Sequence, residues 1–402
     1  MKTVLQNVFS SRTKHLRASE IRDILKITEG RKVISFAGGL PDPHTFPAED
    51  IKQISSEILD KYDYAPLQYT TTAGVTEFRK AIADFSVSRG IRGISYKNVF
   101  VSTGSQESIY ILGQLLLDPG DILIIEHPTY LAALNSFRLN YPTFIGITLE
   151  SDGMNMEELE ENLKRLYNEG KRVKFLYTIP TAHNPAGVTM SLEKRKHLIE
   201  LASKYNFLII EDDAYGHVVF DGEAPPSIKS LDEENRVIYT STMSKILSPG
   251  LRLGWVVADE DIIKEMEMMK QSVDLHSSTF TQYIALEAIK RGVIQKNLPR
   301  IRKMYKEKRD LMLDELEKSF PEGCEWSRPV GGMFIFAKVG DKIDTGKLLA
   351  ESLERGVAYV PGSGFFYDNS GRNTMRLNFS YPTPDEIKEG IRILGDLIKE
   401  KS

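Results

Sequence analysis

The stretch YTSTMSKILSPGLRLGW, Tyr239 to Trp255, places Lys245 and Arg252 in an otherwise apolar and small-residue run. Thr242 stands three residues before the lysine, Ser244 one before it and Arg252 seven after it. An amine among hydroxyls and glycines suits covalent work in a partly unprotonated state, although a solvated surface lysine is the commoner use of the residue type. Three other polar clusters could do chemistry. TGSQE, Thr103 to Glu107, would offer the backbone N–H groups of Ser105 and Gln106 to an anion at the start of a helix, or would use Ser105 as an ordinary N-cap. It matches neither GxGxxG nor a Walker loop, so no nucleotide motif is supported. HNPAG, His183 to Gly187, carries Asn184 and reads equally as a turn. EDDAY, Glu211 to Tyr215, sets Asp212 three residues before Tyr215. Its acids fit a solvated strand end. A metal is not supported, because no histidine pair has zinc-like spacing and there is no HExxH.

Each cluster follows a short apolar segment. NVFVST (98–103), DILIIEH (121–127), FIGITL (144–149), VKFLYTI (173–179), FLIIEDD (207–213), RVIYTS (236–241) and LRLGWVVA (251–258) read as strands. Residues 105–118, 131–140, 156–169 and 191–205 have helical spacing. This alternation predicts an α/β fold with a mostly parallel sheet flanked by helices, and ligands at the carboxyl ends of its strands. RIRKMYKEKRDLMLDELEKSF (300–320) predicts a long charged helix. Strands in GGMFIFAKV and TMRLNFS and helices around 344–355 and 384–400 follow, which makes a smaller α+β domain. The expected division is 46–295 for the large domain and 296–402 for the small one. Residues 1–45, without a core of their own, are expected to pack on the small domain and over the active site. No internal repeat or low-complexity segment is present.

The 402 residues are 41% hydrophobic and 27% charged, a balance that suits a soluble globular protein. A net charge of −4 provides no basic field for nucleic acid. The single cysteine, Cys324, excludes an intrachain disulfide and suits a reducing compartment. The N-terminal stretch lacks the apolar core of a signal peptide, and no run approaches the ~18 apolar residues of a membrane span. A cytoplasmic protein with no membrane, nucleic-acid or metal partner is expected.

A hydroxyl three before a lysine, a downstream arginine, an anion cup, an asparagine, and an aspartate with a tyrosine three later form a set. It is the set that pyridoxal 5′-phosphate needs. The cofactor's aldehyde bonds a lysine amine, its ring nitrogen pairs with an acid, and its phosphate takes backbone N–H groups, hydroxyls and an arginine. The sequence resembles the fold-type-I pyridoxal-phosphate aminotransferases of class I/II, particularly the kynurenine/2-aminoadipate and LysN-type branch, from ASEIRDILKITEGRKVISFAGGLPDPHTFP to NTMRLNFS. The resemblance implies that Lys245 is the Schiff-base lysine and Asp212 the partner of the ring nitrogen. It places Asn184 and Tyr215 on the phenolic oxygen and Tyr130 of HPTY on the ring face. Ser105, Gln106, Thr242 and Arg252 would hold the phosphate, and Tyr69 of LQYTTTAG would reach the phosphate of the partner subunit in a homodimer. Arg376 of MRLNFS would bind the substrate α-carboxylate beside Asn184 and the Gly39 backbone. Arg22 of ASEIRD matches a mobile arginine that some relatives turn toward an acidic side chain; a surface ion pair is its other reading. TMSK, EDDAY and HNPAG depart from the SFSK, the proline after the acids and the NPTG common among relatives, and none of these changes removes a carried residue.

The implied reaction is reversible amino transfer from an L-amino acid (glutamate, 2-aminoadipate, aromatic or branched aliphatic) to a 2-oxo acid such as 2-oxoglutarate. A β-lyase on the same fold and a ligand-sensing, aminotransferase-like regulator are the alternatives.

Overall fold

The structure, a computed structural model, describes residues 8–14 and 33–402. Arg22 lies outside the described residues. In chain order the first part holds β1 (Ile34–Ser35), α1 (Ala48–Tyr62), α2 (Thr76–Ser86), β2 (Val99–Ser102), α3 (Ser105–Leu116), β3 (Ile122–His127), α4 (Leu131–Arg138), β4 (Thr143–Glu150) and β5 (Gly153–Met154). It continues with α5 (Met156–Asn168), β6 (Val173–Thr178), α6 (Leu192–Tyr205), β7 (Leu208–Asp212), β8 (Val237–Thr242), β9 (Gly254–Val257), α7 (Glu260–Gln271) and α8 (Thr279–Lys290). The last part holds α9 (Val293–Ser319), β10 (Glu325–Trp326), β11 (Phe334–Lys338), α10 (Thr345–Glu354), β12 (Val357–Ala358), β13 (Val360–Pro361), β14 (Thr374–Asn378) and α11 (Pro384–Lys401).

Eight strands form one sheet in the order β2-β9-β8-β7-β6-β3-β4-β5. The pairs β3–β4, β3–β6, β6–β7 and β7–β8 are parallel, and β9 runs antiparallel to both β8 and β2. The strands read as near-continuous apolar runs because helices cover both faces: every residue of β2, β8 and β9 is buried. α5 illustrates how a covering helix is specified. Asn155 caps it by accepting from Glu158 N at 2.8 Å. Met156, Leu159, Leu163 and Leu166 then recur at helical spacing on its buried face. Burying each leucine contributes about 1.5–3 kcal/mol.

The consequence for function is geometric. β2, β3, β6, β7 and β8 all end on the same edge of the sheet, at Ser102, His127, Thr178, Asp212 and Thr242. The four polar clusters singled out in the sequence therefore converge there. A four-stranded antiparallel sheet, β10-β11-β14-β13, carries Arg376 on β14. β1 pairs in parallel with β12, and Asn378 N donates to Phe36 O at 2.9 Å, so residues 34–39 are fastened to the C-terminal part beside that arginine. Among the described residues no helix is long and apolar enough to cross a membrane.

Candidate active site

Lys245 closes a short 3-10 turn, Met243–Lys245, that follows β8 directly. Thr242 builds the turn: its hydroxyl accepts from Ser244 N at 3.1 Å and donates to Leu253 O at 3.1 Å. The lysine amine is thereby directed across the sheet edge and donates to Gly39 O at 2.9 Å. Burial, reinforced by the Arg376 and Arg252 guanidinium groups, pulls its pKa down to about 8. A cavity of about 490 Å³ opens beside it.

The anion cup lies on one wall of this cavity. The N-cap of α3 is Gly104, not Ser105, with φ of 82°. A left-handed backbone there turns the chain sharply out of β2, so Ser105 and Gln106 are the first two residues of the helix. Their N–H groups have no acceptor one turn back. The side chain of Gln106 points to α4, donating to Ser136 Oγ at 2.9 Å and Ala132 O at 3.2 Å, so its backbone alone faces the cup. Thr242, Ser244 and Arg252 complete the rim. Arg252 donates to Thr103 O and Pro249 O, each at 3.3 Å. Space is closely matched here. A Cβ on Gly254 would stand 2.5 Å from Ser105 N, and one on Gly104 would stand 2.7 Å from Arg252 Nη2.

The three acids of EDDAY are not a solvated strand end: Glu211, Asp212 and Asp213 are 0%, 3% and 0% exposed. Their fates differ. Glu211 accepts from Ile228 N and Lys229 N, each at 2.8 Å, and anchors the loop before β8. Burial pushes the Asp213 carboxyl up, but Arg89 at 2.7 Å more than reverses this and holds it low. Asp212 lines the cavity, and no cation among the described residues stands against it. Tyr177 donates to its Oδ2 at 2.7 Å, while Oδ1 is buried without a partner. Burial raises its pKa to about 7, the Tyr177 bond opposes this, and the neighbouring Asp213 and Glu126 charges add to it.

Opposite stands Arg376, 1% exposed. It donates to Asn184 Oδ1 at 3.0 Å and to Ala37 O at 2.7 Å, and no carboxylate among the described residues pairs with it. Its guanidinium carbon lies 4.1 Å from the Phe334 ring centroid and 5.2 Å from that of Phe365. Burial lowers its pKa to about 10. A buried guanidinium without an acid is a site made for an incoming carboxylate. Tyr215, edge-on to Phe334 with centroids 6.0 Å apart, and Tyr130 complete the walls.

The structure thus brings Lys245, Asp212, Tyr215, Ser105, Gln106, Tyr130, Asn184, Thr242, Arg252, Arg376 and Gly39 around one cavity. Tyr69 does not line it. It is 78% exposed and sits edge-on to His276 with centroids 5.6 Å apart. Ser244, Phe334 and Tyr177 also serve the site. Ser244 had a sequence signal, its place next to Lys245; Phe334 and Tyr177 read as strand aromatics.

An amine of lowered pKa, an unpartnered buried carboxylate oxygen and a close-fitting anion cup match the aldehyde, the ring nitrogen and the phosphate of pyridoxal phosphate. The fold and the site define a fold-type-I pyridoxal-phosphate enzyme. The chain belongs to the family of class I and II aminotransferases, whose description matches residues 31–394. It is 58% identical to an uncharacterized aminotransferase of Saccharolobus solfataricus, with 99% of each chain covered. It is 47% identical to aromatic-amino-acid aminotransferase 1 of Thermococcus litoralis, over 98% of this chain and 95% of that one. A kynurenine aminotransferase of Pyrococcus horikoshii, solved in complex with PMP, superposes with a TM-score of 0.95 at 47% identity, covering 99% of this chain and 98% of the other. The protein is a pyridoxal-phosphate-dependent amino-acid aminotransferase.

Proposed function

We propose that the chain moves an amino group between L-amino acids with aromatic or aliphatic side chains and 2-oxo acids such as 2-oxoglutarate, with Lys245 as the proton carrier. One observation carries this reading. Lys245, Asp212 with its buried, unpartnered Oδ1, and Arg376, which pairs with no carboxylate among the described residues, line the same cavity. When bound, the cofactor supplies an aldehyde that takes the amino group and a ring that accepts the electron pair left by the departing α-proton. Arg376 grips the substrate α-carboxylate through a two-pronged contact and so selects which α-bond stands perpendicular to the ring. Lys245, with a pKa of about 8, has enough neutral amine near neutral pH to take the α-proton and return it on the cofactor side. Asp212 Oδ1 would accept the ring N–H and keep that proton in place. Asn184 and Tyr215 would hold the phenolic oxygen, Tyr130 would cover the ring face, and the cup of Ser105, Gln106, Thr242 and Arg252 would take the phosphate.

Leu40, Ile179 and Phe334 give the cavity an apolar wall that suits an aromatic or aliphatic side chain. The names of the Thermococcus and Pyrococcus relatives support an aromatic donor. Glutamate and 2-aminoadipate would be accepted through Arg22. The working unit is a cytoplasmic homodimer, in which Tyr69 reaches the partner's phosphate. The exposed Tyr64, Leu67 and Tyr69, at 76%, 66% and 78%, form the kind of apolar surface that association covers. Residues 46–295 act as the large domain and 296–402, with the N-terminal segment, as the small one.

The direct test is borohydride reduction of the loaded protein, peptide mapping of the label, and a panel of amino donors against 2-oxoglutarate. Label on Lys245 and turnover of aromatic donors are expected. Label on any other lysine would overturn the assignment, and turnover of acidic donors alone would overturn the proposed pocket.

A further inference from the structure

Asp212 is the last residue of β7, and Tyr177 lies on the neighbouring strand β6, paired in register with Ile210. The parallel pairing places the Tyr177 ring two residues behind the aspartate, so that its hydroxyl reaches forward to the carboxylate at 2.7 Å. The ring is 0% exposed and packs edge-on against Phe137 with centroids 5.4 Å apart. It is fixed by its surroundings and cannot turn to another acceptor.

Two other carboxylates lie near Asp212, and neither helps it. Asp213 is taken by Arg89. Glu126 accepts from Thr178 Oγ1 at 2.7 Å and Ile179 N at 2.9 Å, with His183 Nε2 at 3.1 Å. Both act on Asp212 only as neighbouring negative charges. Among the described residues, the Tyr177 hydroxyl makes the one hydrogen bond to the Asp212 side chain. Burial and the adjacent carboxylates hold the Tyr177 proton well above its usual range, so the phenol acts there as a donor and nothing else.

We propose that Tyr177 is a positioning residue for the cofactor's ring nitrogen: by donating to Oδ2 it keeps the Asp212 carboxylate ionised and turned so that Oδ1 is the acceptor facing the cavity. The inference rests on the reading of Asp212 as the partner of that nitrogen. With the cofactor bound, one proton would be shared between Asp212 Oδ1 and the nitrogen. A hydrogen bond to Oδ2 stabilises the carboxylate anion, which leaves that proton on the nitrogen. With the donor removed, the buried carboxylate takes the proton itself, the ring nitrogen becomes neutral, and the ring loses its pull on electrons. Since hydrogen bonds to charged groups are the strong ones, the pH at which the nitrogen loses its proton should fall by about one to two units, and the rate of the proton-transfer step about ten- to hundredfold.

The test follows the ring nitrogen by magnetic resonance, with nitrogen-15 in the pyridine ring of the bound cofactor. The pH midpoint of its titration is measured in the wild type, in Tyr177→Phe, in Asp212→Asn and in a protein carrying 3-fluorotyrosine at position 177. Single-turnover amino transfer and Tm are recorded alongside. Tyr177→Phe should lower the midpoint and slow the single turnover with little change in KM. Fluorotyrosine, a nearly isosteric and stronger donor, should raise the midpoint. Tyr177→Phe with a wild-type midpoint and rate, and only a lower Tm, overturns the proposal and leaves Tyr177 as packing. If that variant does not fold, the fluorotyrosine protein decides, and an unmoved midpoint overturns the proposal. A midpoint unchanged in Asp212→Asn would show instead that the aspartate is not the nitrogen's partner, and the Tyr177 inference would fall with it.

Discussion

Replacing Asp212 by asparagine should stabilise the cofactor-free protein while crippling the enzyme. Burial raises the Asp212 pKa from its ordinary value of 3.8 to about 7. The folded chain therefore holds a proton on this carboxyl between about pH 4 and 7 that the unfolded chain has released. Stability from this group is fully present below about pH 4 and is lost as the pH rises through 7. A shift of roughly three units corresponds to a penalty of about 4 kcal/mol above pH 7. An asparagine of the same shape can still accept from Tyr177 but carries no charge to desolvate. Urea unfolding of the cofactor-free proteins, at one protomer concentration, should therefore show Asp212→Asn more stable by about 4 kcal/mol at pH 8. At pH 5 the gap should shrink to about 1.5 kcal/mol. With the cofactor bound, the order should reverse, because the ring nitrogen supplies the charge that the carboxylate lacks. A pH-independent difference, or a cofactor-free variant less stable than the wild type at pH 8, would refute the claim that the carboxylate is buried without a counter-charge.

The close fit of the anion cup predicts that Gly254→Ala weakens cofactor binding at least about tenfold, or about 1.4 kcal/mol, because the new Cβ meets backbone at Ser105 N and Gly104 C, 2.5 and 2.6 Å away. Equilibrium titration of the cofactor checks it, and an unchanged affinity would place the phosphate elsewhere. Arg376→Lys should raise KM for both amino and oxo acids about ten- to hundredfold, since a lysine cannot hold Asn184, the Ala37 carbonyl and a carboxylate together; steady-state assays in both directions measure this. Mixing inactive Lys245→Ala chains with impaired Tyr69→Phe chains should restore activity through hybrid dimers, and no recovery would remove the support for shared sites. Arg22→Ala should raise KM for glutamate and 2-aminoadipate about ten- to hundredfold and leave phenylalanine nearly unchanged, whereas an equal loss for all donors would point to damage to the fold.

The strands that deliver the site were legible because each is an apolar run ending in a polar cluster, and their observed bounds fall within a residue or two of the expected ones. LRLGWVVA is the instructive exception. Its apolar pattern predicts a strand over 251–258, yet β9 spans only Gly254–Val257 and runs antiparallel. Residues 249–252 instead make a tight turn, with Arg252 at φ 52°, which carries the guanidinium back to the cup. An apolar run does not encode strand direction; the short turn that joins β8 to β9 does. The N-cap reading of Ser105 failed for a related reason. Ser is a strong cap by type, but Gly104 alone accepts the left-handed backbone that the turn out of β2 requires. The acids of EDDAY looked solvated because the groups that bury them come from far along the chain: Arg89 for Asp213, Tyr177 for Asp212, and the Ile228–Lys229 backbone for Glu211.

Those distant partners also explain how the site is kept ready. Asp213, one residue from Asp212, shares its burial yet is held ionised by Arg89. Asp212 receives a single neutral donor and is left with one free oxygen. Lys245 and Arg376 lie across the same cavity, and each is pushed toward its neutral form by burial. Asp212, Lys245 and Arg376 thus have no partner of opposite charge among the described residues. The ring nitrogen would complement Asp212, the aldehyde would remove the charge of Lys245 by bonding it, and a substrate carboxylate would complement Arg376. The fold bears the cost of three imperfectly matched charges, and cofactor and substrate would meet groups already oriented toward them, the kind of preorganisation on which electrostatic catalysis draws.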